Sequence, residues 1–533
     1  MGDTNYKESK EAFVSGATGS SVLHVNLVSS VALLSIALYY SLISRWHNST
    51  NFALEWSILV APLLLSMTLF AERPLLLCFL LSIPIVLIHL YPAKDFDEPP
   101  LSPISISRSA SPTHTGNNAS DSGKGSSSRI IITPLPALTI YRAHMMLMTI
   151  LAILAVDFPV FPRSLAKCET FGVSLMDLGV GSFVFSQGVV SAIPLLKDPS
   201  YLIAPSLSKL IDISRKVLPL FFLGMIRVIS VKGTEYPEHV TEYGVHWNFF
   251  FTLAVLPILQ VALHPLIVHL PISLLGFLVA LLHQLLLSLT ALQDFALNAP
   301  RDNIISANKE GLISLTGYLA IQLLGLSAGT VLLPPSPSDF RRQQNILQLQ
   351  LNPRAAKAPA EKPVIKSHKR QNDKTAIELF SYSFLWWTCL GICYLTDLGG
   401  GISRRLTNLP YVIWVAAYNV TFIAFYLILD GLAPKSAFNP VSRPKEKGLA
   451  PKPINIPSTV ARHPPTNAPA LLSAINLNGL LLFLVSNVAT GLVNLSMPTM
   501  YASDAAAMVV LSLYSAGVCL VAWMLRRRRV WKL

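Results

Sequence analysis

The sequence predicts an all-α fold, a polytopic bundle of transmembrane helices. Three observations predict it: hydrophobic residues make up 52% of the 533 residues, charged residues only 13%, and the mean hydropathy is +0.52. Because a soluble domain carries about 25% charged residues, a chain with half that share is solvated mainly by lipid. We expect one transmembrane domain over residues 1–533.

Long apolar runs define the predicted spans. A bilayer core of about 30 Å takes about 20 apolar residues to cross as a helix. Runs of this kind predict about thirteen spans, many of them apolar on all sides and so suited to contact both lipid and neighbouring helices. They lie at residues 22–44, 53–71, 74–92, 138–157, 173–195, 216–231, 246–265, 271–293, 311–333, 377–397, 409–432, 469–493 and 505–525.

Three loops differ from the spans in composition and predict the orientation. Residues 93–137 are Ser/Pro-rich and typical of disorder, residues 334–376 form a basic loop, and residues 433–468 are Pro/Lys-rich. Basic loops stay cytosolic, so these three loops and the Arg526–Arg529 run predict a cytosolic C-terminus and a luminal N-terminus. The net charge of +13 is therefore assigned to orientation and not to a nucleic-acid partner.

The first cluster of polar residues follows the fourth predicted span. Polar side chains beside a membrane are costly, so their clusters are candidate functional sites. Asp157 ends an apolar helix, Arg163 and Lys167 follow across a proline-rich turn, and Asp177 opens the next helix. A partly desolvated carboxylate with a nearby lysine suits a base and its electrostatic partner. An ion pair that ties two helices together explains the same residues.

A second cluster precedes the seventh predicted span. Its candidate residues for binding a polar head group are Lys232, Glu235, Glu238, His239, His246, Trp247 and Asn248. The two histidines are too far apart for a usual zinc pair and lack a clear third ligand, so we predict no metal site. The aromatic residues are also typical of an interfacial belt.

Two further clusters place basic groups just before a helix. Lys309 belongs to the first of them, and Arg404, Arg405 and Asn408 belong to the second. Arginine forks suit phosphate, although basic residues at membrane surfaces also act as snorkelling anchors.

A last cluster is rich in asparagine. Asn476 and Asn478 stand at the start of the twelfth predicted span, where asparagines either join helices or line a polar pocket. No serine-histidine-aspartate elbow, phosphate-binding loop or dinucleotide fingerprint accompanies any cluster. The residues alone therefore leave two classes open, an enzyme and a transporter.

Several long strings resemble one family, the inositol acyltransferases of glycosylphosphatidylinositol (GPI) anchor biosynthesis, called GPI-anchored wall transfer proteins in fungi. The strings extend from the N-terminal region to the last predicted luminal loop. They are FVSGATGSS (13–21), AVDFPVFPR (155–163), SLMDLGVGSFVFSQG (174–188), KGTEYPEHVTEYGVHWNFF (232–250), NKEG (308–311), SRRLTNLPYVIWVAAYN (403–419) and NLNGLLLFLVSNVATGLVNLSM (476–497).

The resemblance implies a multi-span enzyme of the endoplasmic reticulum membrane. Such an enzyme transfers a fatty acyl chain, usually palmitoyl, from palmitoyl-CoA to the inositol 2-hydroxyl of glucosaminyl-phosphatidylinositol. Acyl-CoA is then a co-substrate, and no cofactor is implied. The proposed catalytic aspartate and lysine of the family correspond to Asp157 and Lys167.

Two alternatives remain at this point. A lipid or solute transporter would use the luminal charges as a translocation path, but the chain lacks the internal repeats common in that class. A histidine-based membrane-bound O-acyltransferase would need a buried histidine, for which His264, His269 and His283 are candidates, but no matching motif surrounds them.

Overall fold

The computed structural model describes residues 9–10, 12–13, 15–45, 51–90, 132–233, 240–351, 370–433 and 468–531. Over these residues the chain is helical and forms no β-strand. One isolated antiparallel bridge joins Ser20 to Val173. The predicted all-α class is confirmed.

The described residues form a series of helices. In chain order they are α1 (Val22–Arg45), α2 (Phe52–Leu59), α3 (Ala61–Met67), α4 (Pro74–Leu90), α5 (Pro136–Ala155), α6 (Leu175–Lys197), α7 (Ser206–Gly233), α8 (Val240–Tyr243), α9 (Phe249–Ala262), α10 (His264–His269), α11 (Ile272–Leu289), α12 (Leu292–Asn298), α13 (Ile304–Ala307), α14 (Lys309–Leu332), α15 (Asp339–Leu351), α16 (Asn372–Leu395), α17 (Leu409–Leu432), α18 (Ala470–Leu477), α19 (Gly479–Ser496) and α20 (Asp504–Met524).

The polytopic architecture is also confirmed. Within the described ranges, nine helices are long and apolar enough to cross a membrane, and shorter apolar helices accompany them. Three predicted spans contain a break between two helices, at Val60, Leu263 and Asn478. Proline follows the first two breaks within two residues and removes a backbone donor there.

Helices α14 and α17 form the centre of the bundle. In each of them 78% of the most apolar stretch is buried, against 22% in α16 and 17% in α19. Helix α14 crosses α6 closely at two glycines. A Cβ atom at Gly188 or Gly325 would overlap the backbone of the facing helix. Small residues allow such close approach in membranes, and this crossing holds the first turns of α6 and α14 near each other.

The bundle has two ends, which we call the Asp157 end and the Arg370 end. Helix α5 ends and α6 begins at the Asp157 end. At the Arg370 end, Arg370 donates a hydrogen bond to the carbonyl of Leu333, just beyond α14. The bridge from Ser20 places the N-terminal residues at the Asp157 end, whereas α20 runs away from that end. The first and the last described segments therefore lie at opposite ends of the bundle.

Part of the predicted basic loop 334–376 is a helix. Residues 339–351 form α15, and Gln344 donates to the carbonyl oxygens of Ile267 and Leu270. The helix forms because Phe340, Gln344 and Leu347 share one face and are buried there. Residues 352–369 and most of the other two predicted loops lie outside the described residues.

Candidate active site

Asp157 follows the end of α5, and its carboxylate is buried, with 4% of the residue exposed. The side-chain amide of Asn494 donates to Oδ2 of Asp157 at 2.8 Å, and the Lys10 ammonium lies 3.5 Å from Oδ1. Lys10 also donates to Oδ1 of Asn494 at 3.0 Å. A buried carboxylate needs such partners to offset its desolvation. The three residues come from the N-terminal region, the end of α5 and the end of α19.

An N-terminal strap brings Lys10 to this position. We define the strap as the described part of residues 9–20. Its backbone pairs with the loop between α5 and α6, where the Ser20 N–H donates to the carbonyl of Val173 at 2.6 Å. Gly19 has φ +82°, and a Cβ atom there would overlap Val173 and the Cys168 sulfur. Glycine is therefore required for the strap to lie this close to the loop.

Lys167 belongs to a chain of charged groups that does not include Asp157. Its Nζ lies 2.6 Å from Oε1 of Glu242, and the same oxygen lies 3.9 Å from Nη2 of Arg404. Arg404 in turn places its Nε 2.5 Å from Oδ1 of Asp177. The Lys167 side chain is 36% exposed. The two predicted catalytic residues therefore have separate ion-pair partners in this structure.

The Arg404–Asp177 pair is almost fully buried, with 3% and 1% of the side chains exposed. Ser174 Oγ and the Cys168 backbone N–H donate to the second oxygen of Asp177 at 2.8 and 2.9 Å. Burial disfavours the charged guanidinium, but Asp177 and Glu242 outweigh it and raise the pKa of Arg404. Burial, followed by the charge of Asp177, raises the pKa of the Cys168 thiol to about 12. The pair fixes the loop to the start of α17.

A second ionic cluster surrounds Glu310 in the first turn of α14. Its fully buried carboxylate lies 2.6 Å from Nη2 of Arg301 and 3.0 Å from Nη2 of Arg405. Lys309 is also buried, and its ammonium donates to the carbonyl of Ala299. The structure therefore brings Arg405 and Lys309 into one region and binds both to protein oxygens.

Two predicted binding residues cap helices. Asn248 is the N-cap of α9, and its amide donates to the carbonyl of Gly224 at 2.9 Å. Asn408 is the N-cap of α17, and its amide donates to the carbonyl of Gly401 at 2.7 Å. Both amides are engaged by backbone groups, so these asparagines position the starts of two helices.

Three more predicted residues lie in the same region. Arg163 donates to backbone carbonyls of its own loop. The Trp247 indole N–H donates to the hydroxyl of Thr252 at 3.0 Å, and the backbone N–H of His246 donates to the side chain of Asn308 at 2.8 Å. Glu235, Glu238, His239 and the Lys232 side chain lie outside the described residues.

The expectation that Asn476 and Asn478 belong to the same polar site is wrong. Asn478 donates to the carbonyl of Arg528 at 2.9 Å and accepts from the N–H of Val530 at 3.0 Å. These contacts lie at the Arg370 end, about 25 Å along α19 from Asn494. Asn476 lies two residues before Asn478 and is equally remote. Asn478 holds the residues after α20 in place because its side-chain amide bonds one carbonyl and one N–H group that lie beyond the helix.

The histidine candidates for the alternative acyltransferase class do not share one site. His283 lies 2.9 Å from the carbonyl of Leu406, near the Asp157 end. His264 packs edge-on against Tyr201, beyond the far end of α6. His269 ends α10, the short helix that His264 begins, and so lies near His264 and away from His283. The charged cluster at the Asp157 end therefore remains the candidate site.

Sequence reasoning missed four residues of this site. Lys10 stands in a polar N-terminal region without periodicity, and Asn494, Glu242 and Glu310 lie within the polar clusters but are not among the predicted site residues. The one usable signal was the unusual density of asparagine in the segment that contains Asn494. Nothing in the sequence indicated that Lys10 contacts this segment.

Comparison with known proteins agrees with the resemblance. The GWT1 family model matches residues 6–525. Relatives named GPI-anchored wall transfer protein 1 include one from Cryptococcus neoformans var. neoformans, 38% identical over 99% of this chain and 100% of the relative. Others come from Gibberella zeae, 37% identical over 98% of each chain, and Aspergillus oryzae, 38% identical over 99% of each chain. The chain belongs to the GWT1 family.

Proposed function

We propose that this protein transfers a palmitoyl chain from acyl-CoA to the inositol 2-hydroxyl of glucosaminyl-phosphatidylinositol. Family membership supports a role in GPI-anchor biosynthesis, since the curated relatives carry the name GPI-anchored wall transfer protein 1. The observation that carries the proposal is the buried carboxylate of Asp157 at one end of a lipid-solvated bundle. At that position the Asp157 carboxylate is within reach of both a lipid head group and an acyl chain that lies in the membrane.

Asp157 is the general base of the proposed reaction. Its carboxylate removes the proton of the inositol hydroxyl while the oxygen attacks the thioester carbonyl carbon. The carbon–sulfur bond then breaks, and the CoA sulfur takes the proton from Asp157, so that the base is restored. Asn494 and Lys10 hold the carboxylate in one orientation throughout, which keeps its free lone pairs directed at the substrate.

Lys167 supplies positive charge beside the reacting carbonyl. Its ammonium is the most exposed cation of the charged chain and is aimed by Glu242 at 2.6 Å. A preorganised cation stabilises the oxyanion that develops on the thioester oxygen. The buried Arg404–Asp177 pair fixes the loop that carries Lys167.

The proposed location is the endoplasmic reticulum membrane, with the Asp157 end on the luminal side and the C-terminus in the cytosol. The asymmetric distribution of basic residues supports this orientation.

Cysteines introduced at Ser164 and Asn345 probe the two ends. In sealed microsomes we expect an impermeant thiol reagent to label Asn345→Cys and to leave Ser164→Cys unlabelled until the membrane is permeabilised. The reverse pattern contradicts the orientation.

A transporter is less well supported. A translocation path needs polar groups through the bundle, but the ion pairs around Lys167, Asp177 and Glu310 gather at one end. An acyl-transfer assay separates the two classes directly.

The test is the reaction itself. Membranes containing the protein are incubated with labelled palmitoyl-CoA and glucosaminyl-phosphatidylinositol, and the acylated lipid is measured. We expect Asp157→Asn to lower the rate at least about 100-fold because general-base catalysis contributes about 10²–10⁴-fold. Asp504→Asn, which makes the same change at an exposed aspartate, should leave the rate unchanged. Near-normal product from Asp157→Asn at equal protein level contradicts the assignment of the base.

A further inference from the structure

A cavity of about 500 Å³ opens at the Arg370 end, remote from the site described above. It lies between the start of α16 and the turn that leads into α15. Its volume is within the range of about 300–1,000 Å³ that is common for small-ligand sites. Its polar lining consists of Ser336, Ser338, Arg342, Gln371, Lys374 and Ser381, with Glu378 at its wall.

The charges of the lining favour an anion. Glu378 is neutralised by Arg341, whose Nη2 lies 2.7 Å from the carboxylate. Asp339, at the start of α15, accepts the backbone N–H of Ser336 at 3.0 Å. Neither Arg342 nor Lys374 forms an ion pair with a carboxylate of the described residues. The cavity thus presents two free cations beside hydroxyl and amide groups.

The depth of the cavity matches the head-group layer of a bilayer. Helix α16 has 24 residues and is about 36 Å long, which exceeds the hydrocarbon core of about 30 Å. Gln371 and Lys374 lie at its beginning and therefore at the level of the lipid head groups. Basic pockets at this level between transmembrane helices suit anionic lipid head groups.

The outer face of α16 leads from the cavity into the bilayer. Ile377 borders the cavity and is 67% exposed, and Phe384, two turns further along the same face, is 76% exposed. Ser381 lies between them. This stripe offers an apolar surface for an acyl chain that begins at the cavity, which a soluble phosphate would not use.

We propose that this cavity binds the phosphate head group of an anionic phospholipid. Arg342 and Lys374 bind the phosphate, the serine hydroxyls and Gln371 bind its remaining oxygens, and an acyl chain lies along Ile377 and Phe384. The site is separate from the Asp157 end and does not depend on the proposed acyl transfer.

The experiment measures lipid retention by the purified full-length protein. The protein is equilibrated with detergent micelles that contain phosphatidylcholine with or without phosphatidylglycerol, and bound lipids are counted by native mass spectrometry. We expect Arg342→Gln/Lys374→Gln to weaken phosphatidylglycerol retention by about tenfold or more, since each basic residue near a lipid surface contributes about 1 kcal/mol. Phosphatidylcholine retention should not change.

Two further variants keep the test decisive. Arg527→Gln/Arg528→Gln removes the same charge from the same end and should retain phosphatidylglycerol normally. Arg342→Lys/Lys374→Arg should restore retention, which shows that a loss in the glutamine variant is not misfolding. Equal retention by the glutamine variant and the unaltered protein overturns the proposal. Full displacement of the lipid by millimolar inorganic phosphate also overturns it, because the site would then recognise soluble phosphate and not a lipid.

Discussion

The two ends of the bundle differ in whether their charged side chains form ion pairs. At the Asp157 end, the carboxylates of Asp157, Asp177 and Glu310 are buried, and each has a cationic partner from a distant part of the chain. At the Arg370 end, Arg342 and Lys374 line an open cavity and pair with no carboxylate of the described residues. The paired charges at the Asp157 end hold parts of the fold together, whereas Arg342 and Lys374 have no carboxylate partner and are available to bind an anion.

The largest expected effect is on stability and comes from breaking the buried pair at the Asp157 end. Arg404→Met leaves Asp177 charged, buried and without its partner, which costs about 3–5 kcal/mol of unfolding free energy. Thermal denaturation of the purified protein in detergent measures the loss. Adding Asp177→Leu should recover part of it because the stranded charge is removed. An unchanged melting temperature for Arg404→Met would mean that the pair does not hold this end together.

The next effect concerns the groups that hold Asp157. Asn494→Leu removes the 2.8 Å hydrogen bond to its carboxylate, and hydrogen bonds to charged groups contribute about 1.5–3 kcal/mol. We expect about 10–100-fold slower acyl transfer with little change in the apparent KM for acyl-CoA. Asn487→Leu, an exposed asparagine of the same helix, is the matched control. Equal rates for both variants would show that Asn494 does not orient the base.

A smaller effect is expected on the reactivity of the Cys168 thiol towards alkylation. Its pKa is raised from 9.0 to about 12, so the folded protein keeps the thiol protonated through the range in which an ordinary cysteine ionises. Alkylation of Cys168 should therefore stay slow from pH 7 to pH 9, and any stability that depends on the neutral thiol is lost only as the pH rises from about 9 towards 12. Mass spectrometry of the alkylated peptide measures the rate. A native rate as high as that of Cys168 in the unfolded protein at the same pH contradicts this expectation.

The smallest expected effect is the loss of stability when the Arg341–Glu378 pair at the Arg370 end is broken. Arg341 and Glu378 form a pair at 2.7 Å, but the arginine side chain is 59% exposed. Exposed pairs contribute about 0–1 kcal/mol, so Arg341→Met should shift the melting temperature far less than Arg404→Met. Comparable shifts for the two variants would remove the contrast between the ends.

The sequence predicted the spans because hydropathy and helix length are local properties. Ser174, three residues before Asp177, could also be predicted as a helix cap, since the spacing is that of a capping box, and the structure shows its hydroxyl accepting the Asp177 N–H at 3.1 Å. Prolines marked the turn after Asp157. These features need no knowledge of which helices are neighbours.

The partners of the charged residues could not be predicted because they depend on helix neighbours. Lys10, Asp157 and Asn494 meet only when α5, α19 and the strap lie side by side. Apolar helices that lack a polar stripe carry little information about which side faces which neighbour. For the same reason the sequence does not show that Asn478 lies a helix length away from Asp157.

The strap has a consequence for the order in which the protein is made. Lys10 is synthesised long before Asp157, and Asn494 is synthesised later still. The strap can close over its loop once α5 and α6 are inserted, but Asp157 lacks its amide donor until α19 enters the membrane. A chain that stalls before α19 therefore has an Asp157 carboxylate without its amide donor.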